Sequence, residues 1–129
     1  MPKIILNKRP ADFKKKVDIP VLSGEAAEVE FTFKYRTRTE YAKLMDDHAD
    51  AVRVRTTVDH SDDSFSFEKF VGKSIEDDAE LILSLAAGWD LEDELNKASL
   101  IDMLDKYGGS GPRVVEAYRT AINEGRLGN

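Results

Sequence analysis

Residues 79–91 read AELILSLAAGWDL, which is the most apolar stretch of the chain and contains its only tryptophan, Trp89. From Ser74 onward, apolar side chains recur at the three- and four-residue spacing of a helix. The positions on the main apolar face are Ile75, Ala79, Ile82, Leu83 and Ala86. Two further leucines widen this stripe, so we expect it to be buried on more than one side. The pattern predicts a core helix that is capped by Ser74 and runs to about Ala87.

Gly88 follows this predicted helix at the point where a glycine in the left-handed conformation often forms the C-terminal cap. Trp89 can then fold back as the hydrophobic contact that accompanies such a cap, and hold the next helix against this one. We therefore predict that Trp89 belongs to the architecture of the core and not to a binding site.

Two shorter helices are predicted after this stretch. Asn96 is a good N-cap for a helix over residues 97–107, which a pair of glycines ends. Pro112 suits the first position of a last helix, and Gly125 ends that helix. Residues 74–129 are thus expected to form a C-terminal bundle of about three helices.

The N-terminal half shows the patterns of strands. In residues 28–36 apolar and polar side chains alternate strictly, as in a half-buried strand. Its apolar face carries Val29, Phe31, Phe33 and Tyr35. Residues 17–22 show the same alternation, so the two segments predict an antiparallel hairpin. Such an aromatic face must be covered, and a helix packed over the sheet is the usual solution.

Thr37 and Glu40 have the spacing of a capping box, so we predict a helix over about residues 39–50 that lies on the aromatic face. The segment after it has two interpretations. Between Val52 and Val58, valine alternates with polar residues, and we favour a third strand over a continuation of the helix.

Together these elements predict an α+β protein. It has an N-terminal antiparallel hairpin or small sheet covered by a helix, followed by the C-terminal bundle. At 129 residues the chain has the size of one domain. We divide this domain into a hairpin-and-helix part, a loop and a helical part, over residues 1–58, 59–73 and 74–129.

Charge is distributed unevenly along this acidic chain. The net charge is −6 overall, with nine basic and five acidic residues in residues 1–38, and ten basic and twenty acidic residues thereafter. An acidic body argues against nucleic-acid binding, which requires a basic surface. The basic N-terminal part can dock an acidic partner, including a second copy of the chain, although an ordinary solvated surface explains the same charges.

No motif for catalysis, a cofactor or a metal stands out. The chain has no cysteine, and no serine or threonine has a recognisable histidine partner, so we expect no enzyme activity and no cofactor. Gly72, Lys73 and Ser74 resemble the end of a phosphate-binding loop, but Phe67 stands where such a loop needs a glycine. His60 and its neighbouring aspartates can bind a divalent metal, yet turn-forming loop residues explain them equally well. No apolar run has the length of a membrane span.

A cluster of aromatic residues precedes the core helix, at Phe65, Phe67 and Phe70. As core residues they would be ordinary. As surface residues they would supply the aromatic anchors that protein interfaces favour. We take these three phenylalanines as candidate partner-binding residues.

Several segments resemble the tail assembly chaperones of long-tailed bacteriophages and related prophages. They are VDIP at 17–20 after Phe13, FTFKYRT at 31–37 before Glu40, DAELIL at 78–83, GWDL at 88–91 and AY at 117–118. Each segment is short, but their order and spacing extend the resemblance over nearly the whole chain.

The resemblance implies a non-enzymatic viral protein of the host bacterial cytoplasm that is absent from the mature virion. Such chaperones bind the long helical tape measure protein before the tail tube polymerises around it, and they help to recruit tail tube subunits. A second interpretation is a small structural component of the tail, such as a connector or terminator subunit, which stays in the virion. A third is an adaptor protein with no link to phages.

Overall fold

The computed structural model describes residues 3–59 and 66–125. In these ranges the chain forms three strands and four helices. The strands are β1 (Phe13–Pro20), β2 (Ala26–Phe33) and β3 (Ala86–Trp89), and the helices are α1 (Arg38–Asp59), α2 (Phe67–Leu85), α3 (Lys97–Lys106) and α4 (Ser110–Glu124). The predicted α+β class, with an N-terminal antiparallel strand pair followed by helices, is confirmed.

β1 and β2 form the predicted antiparallel hairpin, in which Val17 lies opposite Val29. The turn between them contains Gly24, whose φ of +91° is accessible to glycine without steric cost. Five side chains of the inner face are buried, whereas the residues between them are half-buried or exposed, as the period-two pattern predicted. The five are Val17, Ile19, Val29, Phe31 and Phe33. β2 ends at Phe33, so Tyr35 lies outside the sheet.

The segment after α2 forms a strand where we predicted a helix end. α2 ends at Leu85, and Ala86–Trp89 pairs with β2 as the third strand of an antiparallel sheet. The predicted left-handed cap at Gly88 is wrong, because the φ of this glycine is not positive. The open edge of β2 offers backbone partners to this segment, and Lys34 N donates a hydrogen bond to Leu85 O at 2.8 Å.

Trp89 lies at the end of β3 and is half-buried. Its ring meets Phe31 edge-on, with the ring centroids 5.8 Å apart. Its Nε1 donates a hydrogen bond to Asp93 O at 2.6 Å. The tryptophan therefore ties the loop that follows β3 to the sheet, without the glycine cap that we expected.

α1 begins at the predicted capping box and runs further than predicted. Glu40 N donates to Thr37 Oγ1 at 3.1 Å, and Thr37 N donates to Glu40 Oε1 at 2.8 Å. The helix continues to Asp59, so the strand that we favoured between Val52 and Val58 is wrong. Each residue added to a capped helix contributes one backbone hydrogen bond, and this outweighs the weak strand preference of valine.

α2 starts earlier than predicted. Its first residue is Phe67, and its N-cap is Ser66, whose side chain accepts a backbone hydrogen bond from the first turn. The predicted start at Ser74 is therefore wrong, and the end of the predicted loop over residues 59–73 is helical. Residues 60–65 lie outside the described residues.

α3 and α4 confirm most of the predicted helix signals. Asn96 and Ser99 form a reciprocal capping box at the start of α3. Gly109 precedes α4 with a φ of +87°, and Gly125 ends α4 with a φ of +67°. Pro112 is the third residue of α4 and not the first. A left-handed backbone at both ends of α4 explains why glycine stands there.

The sheet is covered mainly by helices of the C-terminal half, and not by α1 as predicted: α4 packs along β1, and α2 packs against β3. Tyr118 of α4 is fully buried at the centre of this contact. Its ring centroid lies 5.3 Å from that of Phe33 and 5.5 Å from that of Tyr41, which brings in the first turn of α1. Its hydroxyl donates to Lys34 O at 2.8 Å, and Arg36 Nη1 donates to that hydroxyl at 3.4 Å.

The segment before β1 is fastened to the start of α1. Arg9 Nη2 donates to Glu40 Oε1 at 2.8 Å and to Tyr35 O at 3.1 Å, and its guanidinium lies 5.1 Å from the centroid of the Tyr35 ring. Asp12 Oδ1 accepts a hydrogen bond from Tyr35 N at 2.8 Å. The hydrogen bond from Arg9, and then the backbone hydrogen bond from Thr37, lower the pKa of Glu40 from 4.5 to about 2.

We expect Tyr118→Ala to lower the free energy of unfolding by about 3–5 kcal/mol, because it empties the centre of the aromatic core. Tyr118→Phe keeps the ring but leaves Lys34 O without its donor, and should cost about 1–2 kcal/mol. Urea unfolding followed by circular dichroism measures both values. Equal losses for the two variants would show that the hydroxyl, and not the ring, provides the stabilisation.

We expect the segment containing Arg9 to detach from α1 in acid. The pKa of Glu40 is depressed, so its contribution to stability is complete above pH 4.5 and is lost as the pH falls towards 2. Carboxyl NMR titration of Glu40 measures this transition, with the Thr37 amide, which donates to Glu40 Oε1, as a second reporter. In Glu40→Gln the Thr37 amide should no longer respond in this range, and a Glu40 titration midpoint near 4.5 would contradict the prediction.

Candidate functional site

The first two turns of α2 carry an exposed apolar face. Phe67, Phe70 and Val71 follow the i, i+3, i+4 spacing that places side chains on one side of a helix. Phe67 is 71% exposed, Phe70 is 62% exposed and Val71 is 37% exposed. The buried residues of α2 begin only at Asp77, so this face lies before the part of the helix that packs in the core. We call these three residues the α2 apolar face.

Two of the three predicted partner-binding residues lie on this face. Phe67 and Phe70 are both exposed, which rules out the alternative interpretation of these two as core residues. Phe65 lies outside the described residues. Val71 was missed because the helix was predicted to begin at Ser74. Counting helical positions from Phe67 would have placed Val71 beside Phe70 on the same face.

The surroundings of the α2 apolar face are polar and carry both charge signs. Glu68 follows Phe67 on one side of the face, and Lys73 lies on the other side at 100° per residue. Ser74 lies one turn beyond Phe70 and is exposed, so it ends the apolar stripe. An apolar strip two turns long with charged margins suits contact with another apolar helix better than it suits a small polar ligand.

The other sequence signals do not assemble a chemical site in the described residues. Gly72, Lys73 and Ser74 lie inside α2, where their backbone amides belong to the helix and cannot cradle a phosphate. Among residues 3–59 and 66–125, no group of three or more histidine, cysteine, aspartate or glutamate side chains is placed to hold a metal. His60 and the aspartates that follow it lie outside these ranges.

The junction between α2 and α4 is close-packed and contains a titratable group. Burial raises the pKa of Asp78, while the charge of His48 lowers it and that of Asp77 raises it further. A Cβ added at Gly111 would lie 3.3 Å from Asp78 Oδ2 and 3.2 Å from Leu104 Cδ2. There is no room for a ligand in such a contact, and we assign it to helix packing.

None of the helices in the part of the chain that the structure describes is long and apolar enough to cross a bilayer.

Two of the segments that carry the family resemblance contribute residues that hold the fold together. The GWDL segment contains the end of β3 with Trp89, and Asp90 Oδ1 accepts a hydrogen bond from Glu30 N at 2.9 Å. The AY segment contains Tyr118, at the centre of the core. Trp89, Asp90 and Tyr118 thus lie at positions that hold the sheet and helices together.

Comparison with known proteins identifies the family of the chain. A family model described as phage tail assembly chaperone matches residues 1–129, the whole chain. No curated protein and no solved structure matches the chain. Because the family match covers every residue, the chain belongs to the phage tail assembly chaperone family.

Proposed function

We propose that this protein is a non-enzymatic chaperone that binds the tape measure protein and helps to recruit tail tube subunits. The observation that supports this proposal is the α2 apolar face. Two exposed phenylalanines one helical turn apart are costly for a protein with no partner, because exposed aromatic surface favours association. A long helical protein with exposed apolar stripes is a partner that such a face can cover.

The size of the α2 apolar face favours weak and reversible contacts. Its three side chains expose roughly 300 Å² of apolar surface, whereas a stable interface buries about 800 Å² on each partner. One copy therefore binds weakly. Many copies along one long partner cover it together, and each remains displaceable when tube subunits arrive.

The acidic character of the chain suits the same role. A net charge of −6 on each bound copy adds negative charge to an aggregation-prone partner. Like charges on neighbouring complexes repel one another and oppose aggregation. The proposed chaperone acts in the host cytoplasm and leaves before the tail is complete.

We expect Phe67→Ser combined with Phe70→Ser to reduce the amount of soluble tape measure protein when both proteins are co-expressed. The two residues are exposed, so the substitution should change the free energy of unfolding by less than about 0.5 kcal/mol. Leu6→Ser is the matched control, because Leu6 is 97% exposed and lies on a different segment. The measurement is the fraction of tape measure protein in the soluble lysate. Unchanged solubility with a folded double variant would exclude the α2 apolar face as the binding surface.

We also expect this protein to be absent from purified virions. Quantitative mass spectrometry of the particles measures the copy number of this protein relative to the tube protein and the tape measure protein. A copy number that matches a ring of the tail would instead favour the structural component, a connector or terminator subunit.

A further inference from the structure

A second apolar surface lies between the β1–β2 hairpin and α3. It is a groove of about 810 Å³. Ile19 and Val29 of the hairpin, Met103 of α3, and Trp89 line its apolar floor. We call it the hairpin–α3 groove.

The ends of the groove leave further apolar side chains uncovered. Val21 and Ala27 continue the hairpin wall towards the turn, and Leu91 and Tyr107 lie on the other wall. Leu91 is 39% exposed and Tyr107 is 43% exposed. Apolar surface that is contiguous and rimmed by polar residues is the usual mark of a protein interaction site.

The rim of the groove is acidic. Asp93 and Glu94 lie in the loop after β3, and Asp102 lies on α3. The lining includes one basic residue, Lys106, which forms an ion pair with Asp102 at 3.1 Å. Three carboxylates and one ammonium give the rim a net charge of −2. A partner that carries positive charge beside its apolar contacts complements this rim.

The backbone around the groove indicates the conformation of its partner. Ile19 is paired with Ala27 in the hairpin ladder, and the backbone of α3 is satisfied within its own helix. The outer edges of the sheet belong to β1 and β3, whereas the groove is lined by side chains of the hairpin and of α3, so a partner seated on these side chains does not pair with a strand edge. An extended peptide would leave its own amides and carbonyls without partners, whereas a helix satisfies them internally.

The dimensions of α3 give the length of that helix. Its ten residues span about 15 Å at 1.5 Å per residue, which corresponds to about three turns of a partner helix. A helix lying along α3 would place apolar residues at i, i+3 or i+4, and i+7 over the floor.

We propose that the hairpin–α3 groove binds a positively charged amphipathic helix of about three turns. The helix belongs to the tape measure protein, so this inference rests on the proposed function. Its apolar stripe covers Met103 and the exposed part of Trp89, which would then bind a partner as well as pack in the core, contrary to the prediction from the sequence. Lysine or arginine residues beside the stripe face Asp93, Glu94 and Asp102. The hairpin–α3 groove thus selects basic amphipathic segments of the tape measure protein. The α2 apolar face contacts the same protein without a preference for charge.

The test uses overlapping 20-residue peptides from the tape measure protein encoded by the same phage genome. Binding of fluorescently labelled peptides to the full-length chaperone is followed by anisotropy. Trp89 is the only tryptophan and lies in the groove, so its emission reports occupancy for peptides without tryptophan. Peptides with an apolar stripe beside lysine or arginine should bind and change the Trp89 emission, and their affinity should fall as salt is added.

Two groove variants have matched controls. Ala98→Phe places a ring in the groove from the exposed side of α3, and Ala42→Phe places one on the exposed side of α1. Asp93→Asn with Glu94→Gln removes two charges from the rim, and Asp46→Asn with Asp47→Asn removes two from α1. We expect each groove variant to lower peptide affinity by about tenfold or more, and each control to change it by about twofold or less.

Co-expression with the whole tape measure protein separates the two proposals. If the groove variants no longer keep the tape measure protein soluble and the control variants still do, the inference is supported. If the groove variants still bind peptides and keep it soluble, the groove is not the site, while the proposed function stands. If the unaltered chaperone neither binds peptides nor keeps the partner soluble, both proposals fail. If the groove variants change only the oligomeric mass in light scattering, the occupant is a second copy, and the inference is overturned.

Discussion

Tyr118 of α4 packs against the sheet and connects the N-terminal and C-terminal halves of the fold. This buried side chain belongs to α4, and its ring packs against Phe33 of β2 and Tyr41 of α1. It therefore joins three elements that are distant in sequence. Its hydroxyl also binds Lys34 O, where the backbone leaves the strand. A small domain has few residues for its core, so one aromatic side chain that contacts several elements contributes a large share of its stability.

This arrangement decides which apolar surfaces remain available for partners. The C-terminal half of α2 is used in the core, and its first two turns are left with Phe67, Phe70 and Val71 exposed. Side chains of the hairpin and of α3 line the hairpin–α3 groove. The family match places the chain among the phage tail assembly chaperones, and the partner binding that we propose uses these two surfaces. Both are small, and interfaces of small area are typical of weak, reversible contacts.

The candidate binding residues were only partly predictable. Their aromatic character pointed to Phe67 and Phe70, but the sequence did not distinguish a core cluster from a surface one. Val71 was missed because the helix start was placed at Ser74, and the cap at Ser66 was not recognised. The groove could not be predicted at all. Its walls come from residues 19–29 and 89–107, which are at least 60 positions apart, and their proximity depends on the tertiary structure.

Local patterns in the sequence were enough to predict the hairpin and two helix starts. Strict alternation defined the β1–β2 hairpin, and the capping boxes at Thr37 and Asn96 marked two helix starts, because a side chain three residues away satisfies each exposed amide. The strand conformation of Ala86–Trp89 follows from a tertiary contact and not from the local sequence. Those residues can extend a helix or form a strand, and the open edge of β2, more than 50 residues earlier, supplies the hydrogen bonds that favour the strand. A backbone partner so distant along the chain leaves no pattern in the local sequence.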